Sequence, residues 1–161
     1  MAKNEFEITL DSRKLDKIIK ELAEVDDTQM SAGYFNDKAH PVHPNTTYPQ
    51  IAFLNNYGWG NVPRRPFMSD AGQDDIKLRT KLMAFALRQL VEGKNYEDDF
   101  DAVAKLMADN IKKRIVSNNY ALNAENYKAY KEARWGNSDP LIASGNMRDN
   151  VEHKVTKKGG S

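Results

Sequence analysis

An α+β domain, a small and mostly antiparallel sheet packed by three to four helices including a central helical hairpin, is the fold class this sequence predicts. Three observations lead there. Apolar residues alternate with polar ones in short runs, at Phe6, Ile8 and Leu10, at Met30, Ala32 and Tyr34, and more weakly at Val151 and Val155; that is the period of half-buried strands. A long middle section repeats apolar residues at three- and four-residue steps, the period of amphipathic helices. Five of the six prolines fall between residues 41 and 66, so an extended or turning region separates the two regimes. A chain of 161 residues is expected to form one domain, over residues 1–158, and to bury roughly two-thirds of its unfolded surface. Gly159-Gly160-Ser161 reads as a flexible tail or cloning scar.

The elements follow in order. After the first strand, Asp11 or Ser12 caps a helix whose apolar face is Leu15, Ile18, Ile19, Leu22 and Val25, and Asp26-Asp27 ends it. The Met30 to Phe35 run is a second strand, with Gly33 a bulge or a point of close approach. Asn36 to Thr47 reads as a polar loop. A short helix then runs from Tyr48 or Pro49 to Tyr57; Pro49 suits its first turn and Gly58 its end. Beyond Pro66 the pattern is helical for about fifty residues with one interruption. Ile76, Leu82, Met83, Ala86, Leu90 and Val91 mark one buried stripe. Tyr96, Phe100, Val103, Leu106, Met107, Ile111 and Ile115 mark the next. The short link Glu92-Gly93-Lys94-Asn95 makes the two an antiparallel hairpin. Ser117 to Asn137 is polar and rich in Asn and Tyr; it suits either a brief helix from Ala124 to Ala133 or an extended arm. Pro140 to Gly145 reads as a helical turn stopped near Gly145, and Asn150 to Lys157 as the last strand.

Composition bounds the function. Net charge is +1, from 24 basic and 23 acidic residues, so no global field draws the chain to nucleic acid or to an anionic membrane. There is no cysteine, which excludes disulfides, thiolate metal sites and cysteine nucleophiles. No apolar run approaches the ~20 residues of a membrane span, and residues 1–5 do not lead into a signal-peptide core; a soluble protein that stays where it is made is expected. His40 and His43 are broken by Pro41 and lack the spacing of a helical zinc pair, so no metal site is expected. No nucleophile elbow, phosphate-binding glycine loop or facing carboxylate pair is present, and neither catalysis nor a cofactor is expected. The charges Glu97, Asp98, Asp99 and Asp101, with Lys112, Lys113 and Arg114 at the other end, complement a helix dipole.

Residues 51–68 stand apart. Between Lys38 and Ser69 there is no Asp or Glu, while Tyr57, Trp59, Arg64, Arg65 and Phe67 fall close together. That composition fits a protein contact surface; a hinge whose aromatics fill the core fits it too. Arg64-Arg65 beside aromatics is also the pattern of a nucleic-acid contact made by stacking and phosphate pairing.

Two ordered motifs carry a resemblance. The run Gly33-Tyr34-Phe35, then Tyr48, Ile51-Ala52, Asn56-Tyr57-Gly58 and Val62-Pro63-Arg64-Arg65-Pro66-Phe67-Met68 resembles the tail-completion (virion morphogenesis, neck) proteins of tailed bacteriophages. Pro140-Leu141-Ile142-Ala143-Ser144-Gly145-Asn146-Met147 is similar to that family's C-terminal signature, and the expected pair of amphipathic helices lies between. The resemblance covers residues 30–155 or so. Trp59 is bulkier than many members carry at that point, and the Asn-rich stretch from Ser117 to Tyr130 is not diagnostic, which leaves the subfamily open. The resemblance implies a structural virion protein at the head–tail junction, a homo-oligomeric ring around the DNA channel. Its implied partners are copies of itself, the portal or adaptor side of the neck, tail terminator or tube proteins, and passing DNA without sequence specificity, with no membrane. It would occupy the virion neck, and the host cytoplasm during assembly. A nucleic-acid-binding accessory protein is the alternative, with a small hydrolase more distant. The expected contact residues are Trp59, Arg64, Arg65 and Phe67; of these Phe67, like Tyr57, also suits the protomer's own core, which is the preferred place for Phe67.

Overall fold

The computed structural model describes residues 12–35, 38–41, 43–74, 76–117, 119–142 and 144–157. The expected first strand, Phe6 to Leu10, lies outside the described residues. The elements run α1 (Ser12–Asp26), β1 (Thr28–Gly33), β2 (Ala39–His40), β3 (His43–Thr47), α2 (Tyr48–Tyr57), α3 (Phe67–Gln73), α4 (Ile76–Val91), α5 (Glu97–Val116), α6 (Glu125–Trp135), α7 (Asn146–Asp149) and β4 (Glu152–Lys157). Both strand pairs are antiparallel, so the α+β class holds, with the strands divided between two small sheets.

The architecture is built around α5. Its apolar residues recur at three- and four-residue steps, and Phe100, Val103, Ala104, Ala108, Ile111 and Ile115 are all buried. That stripe packs on the β1–β4 ribbon, on α3 and on α4. Alanines at 104 and 108 let backbones approach closely where a larger side chain would hold them apart. Glu97, Asp98 and Asp99 in the first turn and Lys113 and Arg114 in the last are aligned with the helix dipole. One core joins Phe67 and Ala71 of α3 to Ala108, Ile111 and Ile115 of α5, with Ala52, Leu141 and Val151. Phe67 is wholly enclosed, a burial that contributes roughly 2–3 kcal/mol. The ribbon pairs Thr28 with Lys157 and Gly33 with Glu152.

Four expectations change. The polar loop Asn36 to Thr47 contains a hairpin, pairing Ala39 with Thr47 and His40 with His43. Pro41 follows His40 in the link, where its fixed φ suits a tight turn, and a two-stranded ribbon tolerates Pro44 because each strand keeps a free edge. The long helical section breaks twice, at Asp74 as well as before Glu97, giving α3, α4 and α5. The stripe expected on α4 is only partly used: Ala86 and Leu90 are buried, whereas Ile76 and Val91 are exposed, as are Leu78, Phe85 and Leu87. α4 is covered by α5 on one side and touched by α1, which leaves the rest of its apolar surface open. Finally, Gly145 begins a helical turn, α7, instead of ending one; it sits at φ 81° immediately before Asn146.

Asp74, in the break, is clamped by Arg114 of α5. The guanidinium donates from Nε to Oδ2 at 2.6 Å and from Nη2 to Oδ1 at 2.5 Å. These charged hydrogen bonds hold the Asp74 carboxyl below the usual carboxylate range. Close by, the Tyr120 hydroxyl donates to Asp70 at 3.1 Å, and burial with that carboxylate pushes it up to about 12. Among the described residues no helix is long and apolar enough to cross a membrane.

Candidate functional site

The site is assembled from α2, the segment after it, and the residues before and within α6. Helix α2 starts with a capping box. Thr47 Oγ1 accepts from the Gln50 N–H at 3.5 Å, and the Thr47 N–H donates to Gln50 Oε1 at 2.8 Å, a pairing that contributes about 1 kcal/mol. Pro49 occupies the first turn and Gly58 the end, as its φ of 79° requires, and the Gly58 N–H donates to the Leu54 carbonyl at 2.9 Å. The chain then folds back tightly: the N–H of Trp59 donates to the Val62 carbonyl at 3.1 Å, and the N–H of Val62 to the Trp59 carbonyl at 2.9 Å.

The next helix is capped by a residue of α2. Pro66 stands at the N-terminus of α3 with no side chain to offer. Buried Asn56 supplies the acceptor instead: its Oδ1 takes the N–H groups of Met68 at 3.1 Å and Ser69 at 3.2 Å, and its Nδ2 donates to Ser69 Oγ at 3.0 Å. Phe67 is thereby driven into the core.

Arg65 is the centre of the arrangement. Its guanidinium, 3% exposed, donates to the Ala121 carbonyl at 2.8 Å, to Asn55 Oδ1 at 2.7 Å, to Asn123 Oδ1 at 2.9 Å and, at 3.4 Å, to the Leu122 carbonyl. Asn123 in turn donates to the carbonyls of Ser138 and Asp139. One cation thus fastens α2 to the polar segment before α6 and, through Asn123, to the approach to Pro140. All its partners are neutral oxygens, and burial lowers its pKa from the ordinary arginine value.

A cavity of about 440 Å³ lies against this network, with Arg65, Asn123, Tyr127, Lys131, Trp135 and Leu141 in its lining. Lys131 of α6 is 1% exposed. Its ammonium donates to the Asp139 carbonyl and sits 6.0 Å from the centre of the Tyr127 ring. Desolvation brings its pKa down to about 8, against the opposing pull of Asp139 and with further help from the Arg65 charge.

The four expected contact residues therefore divide. Trp59, 73% exposed, and Arg64, also exposed, are open to a partner. Phe67 is core, as its apolar character favoured. Arg65 departs from the expectation that it faces another subunit, because it is buried and four of its five N–H groups are used inside the chain. Tyr57, the other aromatic suited to the core, is instead exposed, and its ring lies 4.9 Å from that of exposed Phe53 on the same helix. Phe53 and Tyr57 on α2, and Trp59 and Arg64 in the segment that follows it, are thus all exposed within twelve residues of chain.

The two sequence motifs meet. Pro63 and Arg65 share the cavity wall with Pro140, Leu141 and Met147, and Phe67 shares the core with Leu141. Tyr34 donates its hydroxyl to the Met147 carbonyl at 2.9 Å and stacks on Tyr48 with 6.3 Å between ring centres. Gly33 is a close-approach point, since a Cβ there would stand 3.3 Å from the Met68 terminal methyl. His40 is buried edge-on against Tyr48, and among the described residues no group of three His, Asp or Glu side chains is placed to hold a metal ion.

Sequence reasoning missed Asn55, Asn56, Asn123 and Lys131. Asn56, ten residues before Pro66 at a helix start without a capping side chain, left the one usable signal: α3 needed an acceptor from elsewhere. Comparison with protein-family models, curated proteins and solved structures finds no match to this chain.

Proposed function

We propose that this chain is a structural virion protein of a tailed bacteriophage, a tail-completion component that forms a ring at the head–tail junction around the DNA channel. The observation that carries the reading is the exposed group Phe53, Tyr57, Trp59 and Arg64, in a section of chain free of Asp and Glu. Aromatic residues and arginine are the side chains that dominate protein interfaces, and the energy is concentrated where they are fully desolvated. Their base is rigid, held by the capping box, by Asn56 and by Arg65, so little ordering is needed on association. Repeated between copies, a contact between this face and a different face of the next subunit closes into a ring when the rotation closes. The motif resemblance supplies the location of that ring, with neck proteins above, tail terminator or tube proteins below, and DNA passing without sequence readout.

The nucleic-acid alternative loses its arginine pair, since Arg65 is engaged inside the chain and only Arg64 is exposed. The test is electron microscopy of particles carrying an enlarged, tagged form of the protein. Extra density belongs at the junction of head and tail, and a Trp59→Ala, Arg64→Ala double variant should leave filled heads and free tails unjoined. Density elsewhere, or joining at the wild-type yield, overturns the reading.

A further inference from the structure

The cavity beside Arg65 does not depend on the assembly reading and has a chemistry of its own. Its polar base holds two cations, Arg65 and Lys131, each enclosed almost completely. Among the described residues neither forms an ion pair with a carboxylate; both are held by neutral oxygens. A buried cation held by neutral oxygens is costly; the Asp139 charge offsets part of that cost at Lys131, while the Arg65 charge of like sign adds to it. The rest of the lining includes the apolar and aromatic side chains Ile51, Leu54, Leu141 and Trp135, with polar Thr46, Asn61 and Ser144 also among it.

We infer that this cavity is a binding site for an organic carboxylate with an apolar body, the carboxylate lying between Arg65 and Lys131 and the body against Trp135, Tyr127 and Leu141. Donor arithmetic favours a carboxylate over a phosphate. Arg65 spends four of its five N–H groups on the protein and Lys131 one of its three, leaving about three, enough for two carboxylate oxygens and too few for a fully ionised phosphate. The size suits a molecule of drug-like dimensions, for which pockets run from about 300 to 1,000 Å³. The same group arrives either as a free acid or as an acidic side chain flanked by apolar residues in a peptide.

Titration of the isotopically labelled full chain with 4-phenylbutyrate, followed by NMR and calorimetry, tests this. Saturable one-to-one binding that shifts the Trp135 indole N–H is expected, with the uncharged 4-phenylbutyramide at least tenfold weaker. Lys131→Met keeps the length and apolar stem of the side chain, and should weaken the acid about tenfold while leaving the circular dichroism spectrum unchanged. If that variant unfolds, Trp135→Leu takes its place and should weaken the acid and the amide alike. A capped Leu-Glu-Phe tripeptide forms the second arm: binding of the tripeptide without phenylbutyrate assigns the site to a carboxylate carried on polypeptide, and binding of phenylbutyrate assigns it to a free acid. Failure of both ligands overturns the inference, as does equal affinity for acid and amide, or an unchanged affinity in Lys131→Met.

Discussion

Arg65 and Asn55 are joined twice: the Arg65 backbone N–H donates to the Asn55 carbonyl at 2.6 Å, and the Arg65 Nη1 donates to the Asn55 side-chain oxygen at 2.7 Å. The double tie sets the angle at which the chain leaves α2, and the rest of the guanidinium then reaches across to residues 121–123. Replacing it with an apolar side chain strands four acceptors. Arg65→Met should cost about 2–4 kcal/mol, read as a lower urea midpoint. Arg65→Lys should recover only a part, because one ammonium cannot span the same fork of partners.

The division between core and surface in residues 51–68 gives a paired prediction. Phe67→Ala should cost about 3–5 kcal/mol, the usual loss for a buried aromatic. Trp59→Ala should stay within about 0.5 kcal/mol in the isolated protein, and on the proposed neck role it should impair the joining of heads to tails. Thermal denaturation of the two purified variants decides it; a large destabilisation by Trp59→Ala would falsify the assignment of that side chain to a contact surface.

Two glycines in the same turn separate backbone strain from crowding. Both have positive φ, 79° at Gly58 and 56° at Gly60, but a Cβ at Gly58 would stand 3.1 Å from the Arg64 nitrogen, whereas one at Gly60 meets nothing within 4 Å. Gly60→Ala should cost about 1 kcal/mol from conformation alone. Gly58→Ala should cost at least twice as much and displace Arg64, visible as shifted Arg64 and Arg65 amide resonances.

Alkaline pH should reveal Lys131. Its folded pKa, near 8, lies below the unfolded lysine value, so between pH 8 and about 10.4 the unfolded chain binds more protons and stability rises with pH. Burial raises the Tyr34 hydroxyl above its ordinary value, so above about pH 10 the unfolded chain loses that proton first and stability falls. Lys131→Met should remove the rise and leave the fall, measured as urea midpoints from pH 7 to 11.

In acid the Asp74–Arg114 clamp should give way. A depressed carboxyl pKa stabilises the fold above the unfolded value of about 3.9, and that stability is lost as pH drops through the folded value. Asp74→Asn should cost about 1 kcal/mol at neutral pH for this partly exposed pair and should flatten the stability profile below pH 4.

What the sequence discloses about this fold is what short stretches decide for themselves. Pro49 and Gly58 bound α2 because a missing N–H and a positive φ are local demands. The stripe of α5 was legible because it buries one face, whereas β4 is mostly exposed and showed only the weak alternation of Val151 and Val155. The β2–β3 hairpin was hidden because His40-Pro41-Val42-His43-Pro44 carries prolines and polar groups on both faces, which masks the two-residue period. Arg65 was misplaced for a different reason: what buries it is a pair of carbonyls more than fifty residues away, and carbonyls have no letter in the sequence. The Asn-rich stretch before α6 read only as a polar segment, either a brief helix or an extended arm, yet Asn123 is buried as a hydrogen-bonding partner. The exposed positions of Trp59 and Arg64 agree with the composition of their stretch; Lys131, within a sequence typical of an exposed helix, gave no sign of its burial.

The ribbon that pairs Thr28 with Lys157 and Gly33 with Glu152 also governs when the fold can form. During synthesis α5 can coil and α2 can cap itself as soon as their residues emerge, but β1 must wait for β4. Until then the apolar side of α5 that the ribbon covers stays open, so the nascent chain depends on late closure of a very large loop, which slows folding and prolongs exposure of sticky surface. A copy truncated just before residue 152 would therefore persist as a loosely packed, aggregation-prone chain in place of a slightly smaller version of the same domain.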